Sequence, residues 1–117
     1  MKTEIGIVYC PNNEYYFGVY IDPELECDAK VSPACYLDLN TRRAKPGSIG
    51  IIFFRNVDCM KCGVIAHEAI HLATTYIRSV TKDKVVLGPD IDAQEEILAD
   101  YVGWFAARLG ELYWEQQ

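Results

Sequence analysis

The segment at residues 62–80, CGVIAHEAIHLATTYIRSV, is the part of the chain whose fold is most narrowly constrained by its sequence. Both histidines of the chain, His67 and His71, lie in it four positions apart. Its apolar residues recur at helical spacing, at Ile65, Ala69, Leu72, Ala73, Tyr76 and Ile77. We therefore predict a helix from about residue 58 to residue 80. Because residues four apart share one helix face, this helix presents two imidazoles side by side.

A second helix is predicted from about residue 93 to residue 112. Asp92 is followed three residues later by Glu95, a capping-box pattern in which Asp replaces Ser or Thr. Gly88 and Pro89 precede this pattern and interrupt regular structure between the two helices. The two predicted helices are therefore separated by a loop.

Residues 1–56 are rich in strand patterns. The predicted strands are TEIGIVYC (3–10), NNEYYFGVYID (12–22), ACYLDLN (34–40) and SIGIIFFRN (48–56). The last is the most apolar, so we expect it to be central or packed on both faces. Strands followed by two helices predict a single α+β domain over residues 1–117, with a small mixed or antiparallel sheet of about three or four strands packed on two helices.

Charge and cysteine content limit the classes of partner and compartment. The net charge of −6 argues against nucleic acid and anionic membranes as main partners, because phosphate binding needs clustered cations. The one basic cluster, Arg42, Arg43 and Lys45, is interpreted as a solvated turn. No apolar run is long enough to cross a bilayer, and the start, MKTEIGIVYC, lacks the pattern of a secretion signal. With five cysteines, these features predict a cytoplasmic protein with mostly reduced thiols.

The motif His67-Glu68-x-x-His71 predicts a metal site. Imidazole nitrogen is a preferred ligand of Zn²⁺, and two imidazoles on one helix face can bind the same ion. Glu68 projects about 100° round the helix from His67, where it reaches a water at the ion and not the ion itself. This pattern on a helix is typical of zinc metallopeptidases, in which the glutamate is the general base.

The third ligand must be a carboxylate or a cysteine, because the chain has no third histidine. In EEILAD, Glu95 is assigned to capping, which leaves Glu96 free to face the first helix. Asp100 lies on the same face and is suited to hold a ligating histidine by a hydrogen bond. Gly103 and Ala107 continue that face, and such small residues would let the helices approach closely.

His67-Glu68-x-x-His71, followed by Glu96-x-x-Ala99-Asp100, resembles the gluzincin branch of the zincin metallopeptidases. It is also similar to the small minigluzincin and ImmA/IrrE-type peptidases and to HExxH proteins of phages and mobile elements. The resemblance covers about residues 49–110 and implies a minimal zincin-like core. Zn²⁺ would be held by the two histidines and Glu96.

The resemblance implies hydrolysis of a peptide bond in an intracellular protein or peptide, with Glu68 as the base. A donor to the tetrahedral intermediate would come from Tyr76, Tyr101 or Arg78, among which the sequence does not choose. The strand at 48–56 would include the sheet edge that pairs with an extended substrate. The chain lacks a counterpart of the second histidine that assists the transition state in larger gluzincins.

Two further functions remain open. One is a zincin-fold binding or regulatory module that keeps the metal without useful hydrolysis. The other is thiol-redox chemistry at the pair Cys59 and Cys62, whose CxxC spacing also suits a structural zinc site with Cys27 and Cys35. Burial as reduced thiols is the default interpretation for all five cysteines, Cys10 included. Trp104, Tyr113 and Trp114 are expected to pack against the sheet or, if exposed, to form a dimer or partner surface.

Overall fold

The computed structural model describes residues 2–11, 14–32, 47–80 and 91–117, with the backbone alone at residues 62, 79, 80 and 91–95. The strands are β1 (Thr3–Tyr9), β2 (Tyr16–Ile21), β3 (Ala29–Ser32) and β4 (Ser48–Phe54). A short 3-10 helix (Val57–Cys59) precedes helix α1 (Cys62–Val80), and helix α2 (Ile91–Glu115) follows. The predicted α+β class is confirmed.

The four described strands form one mixed sheet in the order β1-β2-β4-β3. β1 pairs antiparallel with β2, β2 parallel with β4, and β3 antiparallel with β4. The apolar strand β4 is therefore central, as its composition predicts. The expectation that it includes the sheet edge is wrong, because β2 and β3 occupy its two sides. β3 was not predicted, since its four residues, AKVS, carry too little pattern.

The first helix begins at Cys62 and not near residue 58. Asn56 accounts for the difference, because its side-chain oxygen accepts a hydrogen bond from the backbone N–H of Cys59 at 3.0 Å. That bond caps a separate 3-10 turn, which the backbone bond from Cys59 N–H to the Asn56 carbonyl closes at 3.1 Å. The second helix runs from Ile91 to Glu115, longer at both ends than predicted, and Asp92 falls within it instead of at its N-cap.

The core lies between the two helices and one face of the sheet. Phe17, Ile52, Phe54, Leu72 and Phe105 are fully buried there. The rings of Phe17 and Phe105 meet edge to face with centroids 5.6 Å apart, which joins β2 directly to α2. The sheet is thus covered by helices on the side that holds the core.

Several predicted features lie outside the described residues. These are the strand at 34–40, the basic cluster at 42–45, the loop glycine and proline at 88 and 89, Cys35, and the side chains of Asp92 and Glu95. Neither described helix combines the length and apolarity that crossing a membrane requires.

Candidate metal centre

Helix α1 separates its apolar residues from its histidines. Ile65, Ala69, Leu72, Ala73 and Tyr76 are buried, while His67 and His71 point to the other side. The His67 side chain is 69% exposed. The helical period of the sequence predicts this arrangement, since positions 67 and 71 fall between the buried positions.

The two imidazoles lie next to each other. Their ring centroids are 5.1 Å apart and their planes meet at 64°. With Zn–N bonds of about 2.0–2.1 Å and tetrahedral angles, two imidazoles on one zinc ion have centroids about 5 Å apart. The separation of the two rings therefore fits a shared ion.

Glu68 lies on the buried side of α1. Its side chain is 7% exposed, and its Oε1 lies 3.9 Å from Nε2 of His67, too far for a hydrogen bond. Within the described part of the chain, no donor makes a hydrogen bond to this carboxyl group. A buried polar group without a partner costs free energy, and an ionised one costs more.

Burial raises the pKa of the Glu68 carboxyl group above its usual value, and the neighbouring His67 and His71 oppose part of that rise. In the protein without metal, burial therefore makes ionisation of this carboxyl group less favourable than in the unfolded chain. A cation bound at the two imidazoles would favour the carboxylate, because an opposite charge nearby lowers a carboxyl pKa.

Glu96 and Asp100 do not join this centre in the structure. Both are exposed on α2, and the described residues contain no group of three or more His, Cys, Asp or Glu side chains able to hold a metal ion. The predicted contact face of α2 is wrong, because Gly103 and Ala107 are exposed as well.

The face of α2 that meets α1 carries the larger side chains of Tyr101 and Phe105. Tyr76 of α1 stacks edge to face against both, with ring centroids 5.1 and 6.1 Å away. These bulky rings, and not the small residues, set the contact between the helices. Glu96 as third ligand and Asp100 as its support remain predictions.

The three candidate donors to a tetrahedral intermediate have no described contact with the two histidines. Tyr76 is buried in the core, where burial and then the neighbouring Tyr101 raise its pKa. Tyr101 is half-buried against it, and Arg78 is exposed in the last turn of α1. No described contact joins any of the three to His67 or His71.

The described cysteines are free thiols in different surroundings. Cys10 is fully buried, which raises its pKa to about 12. Cys59 is half-buried, and its thiol contacts Asp28 Oδ1 at 3.6 Å. Arg55 donates to the same Asp28 oxygen at 2.8 Å. The proposed pair of Cys59 with Cys62 stays a prediction, because the Cys62 side chain is outside the described residues.

Sequence reasoning did not single out Ile70, an exposed residue of α1 next to the histidines in sequence. Its side chain is 49% exposed although isoleucine is usually buried. It follows His67 by three positions, so the two side chains are neighbours on the surface of α1. The three-residue spacing from His67 could have identified Ile70 in the sequence as an apolar neighbour of the histidines.

No family model matches the chain, and neither the curated proteins nor the solved structures include a significant match.

Proposed function

We propose that this protein is a zinc-dependent peptidase that hydrolyses a peptide bond in an intracellular protein or peptide. One observation carries the proposal. A buried glutamate without a hydrogen-bond donor among the described residues adjoins two exposed imidazoles whose separation suits a single zinc ion. A buried carboxyl group without a hydrogen bond does not stabilise a core, whereas a general base beside a metal needs an accessible carboxylate oxygen.

His67 and His71 would hold the metal, and Glu96 is the carboxylate proposed to join them. Zinc, when bound, supplies Lewis-acid activation of a water and of the scissile carbonyl. Glu68 would take a proton from the attacking water at a carboxylate oxygen and later give it to the leaving amine. Its low exposure supports this role, because burial holds a carboxyl pKa nearer to the working pH of a general base.

The exposed Ile70 supports a substrate with an apolar side chain next to the cleaved bond. The free thiols of Cys10, Cys27 and Cys59 support the cytoplasm as the compartment.

The exposed positions of Glu96 and Asp100 favour a second candidate, a zinc-holding binding or regulatory module without useful hydrolysis. Such a module needs the ion and its ligands but not the base. The two candidates therefore differ in their dependence on Glu68.

Metal content and cleavage test the proposal together. Purified protein loaded with zinc and then dialysed should hold about one ion per chain, and His67→Ala should lose it. Glu68→Gln should keep the zinc and lose cleavage of a peptide library read by mass spectrometry. Glu26→Gln is the matched control, since Glu26 is exposed and distant along the chain. Wild-type protein that retains no zinc would refute both candidates, and retained zinc without cleavage would leave only the binding module.

A further inference from the structure

The outer side of β1 carries backbone groups that no other described strand uses. Cys10 N–H donates to the Tyr15 carbonyl at 2.8 Å, so the backbone of Cys10 faces β2. In an antiparallel ladder the direction alternates, and Tyr9 and Ile7 therefore face away from β2. The Tyr9 carbonyl confirms this direction, because it accepts a hydrogen bond from Trp104 Nε1 of α2 at 2.9 Å.

A cleft of about 330 Å³ opens along this edge. Its walls include Ile7 and Tyr9 from β1 and Trp104, Arg108, Glu111 and Glu115 from α2. Ile7 is 40% exposed and Tyr9 is 49% exposed. Since Trp104 already occupies the Tyr9 carbonyl, the open part of the edge is centred on Ile7. Toward the start of β1, the irregular register between Glu4 and Gly6 ends the open part of the edge.

We propose that this edge binds a second copy of the same chain, with the two β1 strands antiparallel about a two-fold axis at Ile7. In that register Ile7 of each copy would exchange both of its backbone hydrogen bonds with Ile7 of the other. An interface on a two-fold axis uses the same patch on both copies and must be self-complementary. The proposal is independent of the metal centre.

Charge complementarity singles out a second copy as the occupant. Within one copy, strand β1 and helix α2 run in opposite directions, because Tyr9 lies beside Trp104 and Gly6 lies beside Leu112. Ile7 is therefore level with the part of α2 between Arg108 and Glu111. A two-fold axis at Ile7 would therefore place Arg108 of each copy opposite Glu111 of the other copy.

Contacts within its own chain already fix the position of the Arg108 side chain. Its guanidinium group lies 4.2 Å from the Trp104 ring centroid and pairs with Glu111 at 2.8 Å. Trp114, three residues after Glu111, is 73% exposed and adds apolar surface beside the pair. Two such alternating patches attract each other although each chain carries a net charge of −6.

Sedimentation velocity of the full chain, from about 1 μM to 1 mM at low salt, should show a monomer–dimer equilibrium. Ile7→Pro should weaken the dimer at least tenfold, because it removes the outward N–H. The fold should survive, because β2 does not use that N–H; circular dichroism checks this. Arg108→Glu alone and Glu111→Arg alone should each weaken the dimer by a similar factor.

Mixing those two charge variants gives the decisive result. Each variant alone brings like charges together across the axis. In the mixture, each position 108 lies opposite a position 111 of the opposite charge, so a heterodimer should form. Lys61→Glu, at an exposed position away from the edge, is the matched control and should dimerise as the wild type does. A wild type that stays monomeric, a mixture that fails to associate, or an edge that binds only an unrelated peptide strand would overturn the proposal.

Discussion

Replacing Glu68 by Gln should stabilise the metal-free protein at pH 8. The carboxyl side chain is 7% exposed and lies 3.9 Å from Nε2 of His67. Its ionised form therefore carries a desolvation cost that a neutral amide largely avoids. From the usual cost of an unsatisfied buried group we expect a gain of about 1–2 kcal/mol in unfolding free energy. For a domain of this size that gain is a rise in Tm of roughly 4–8 °C.

The sign of the pH dependence follows from the raised pKa of Glu68. The folded protein keeps this proton to a higher pH than the unfolded chain does. Wild-type stability should therefore fall as pH rises from the ordinary carboxyl value towards the raised one. The advantage of Glu68→Gln should be small at pH 4 and full at pH 8.

Urea unfolding in the presence of a chelator, at both pH values, measures this difference. Glu26→Gln serves as control and should change stability by less than about 0.5 kcal/mol. A loss of stability in Glu68→Gln at pH 8 would show that the carboxylate has a stabilising partner, and an equal gain at both pH values would show that ionisation of Glu68 is not the source of the cost. Either result would refute the interpretation of Glu68 as a buried carboxylate that no hydrogen bond stabilises.

Three further results are expected. Phe105→Ala should cost about 3–5 kcal/mol in urea unfolding, because Phe105 is fully buried where both helices meet the sheet; a cost below about 1 kcal/mol would contradict that packing. Gly6→Ala should cost about 1 kcal/mol, the low end of the overpacking range, because the new methyl carbon would lie 2.7 Å from Leu112 Cδ1 and only the end of that side chain must shift. Leu112→Ala should remove most of that added cost in a double-mutant cycle. In the native protein at pH 8 a thiol reagent should modify Cys27 quickly and leave Cys10 unmodified, since Cys27 is exposed whereas the pKa of Cys10 is raised to about 12; mass spectrometry of the digested protein distinguishes the two.

The sequence predicts those parts of the fold that depend on local pattern. The helical period of residues 62–80 identifies the buried face of α1 and places His67 and His71 together on the other face. The apolar run of β4 indicates its central position. In both cases a local pattern of apolar residues is enough to predict burial.

Features that depend on contacts between distant segments were not predictable in the same way. The rotation of α2 is set by Tyr101 and Phe105 against Tyr76. Reasoning from the small residues Gly103 and Ala107 chose the wrong face, because large rings bury more apolar area than small residues do. The exposed positions of Glu96 and Asp100 follow from that same rotation.

The placement of β4 between β2 and β3 has a consequence for folding order. β1 and β2 are consecutive and antiparallel, so they can associate as a local hairpin early. β3 pairs only with β4 among the described strands, and β4 must also add in parallel to β2 from a distant point of the chain. Late entry of β4 is therefore the expected slow step, and Ile52→Val should change the folding rate more than a conservative change in β1 does. Until then β2 and β3 both present open edges, which makes the chain most prone to aggregation before its central strand is in place.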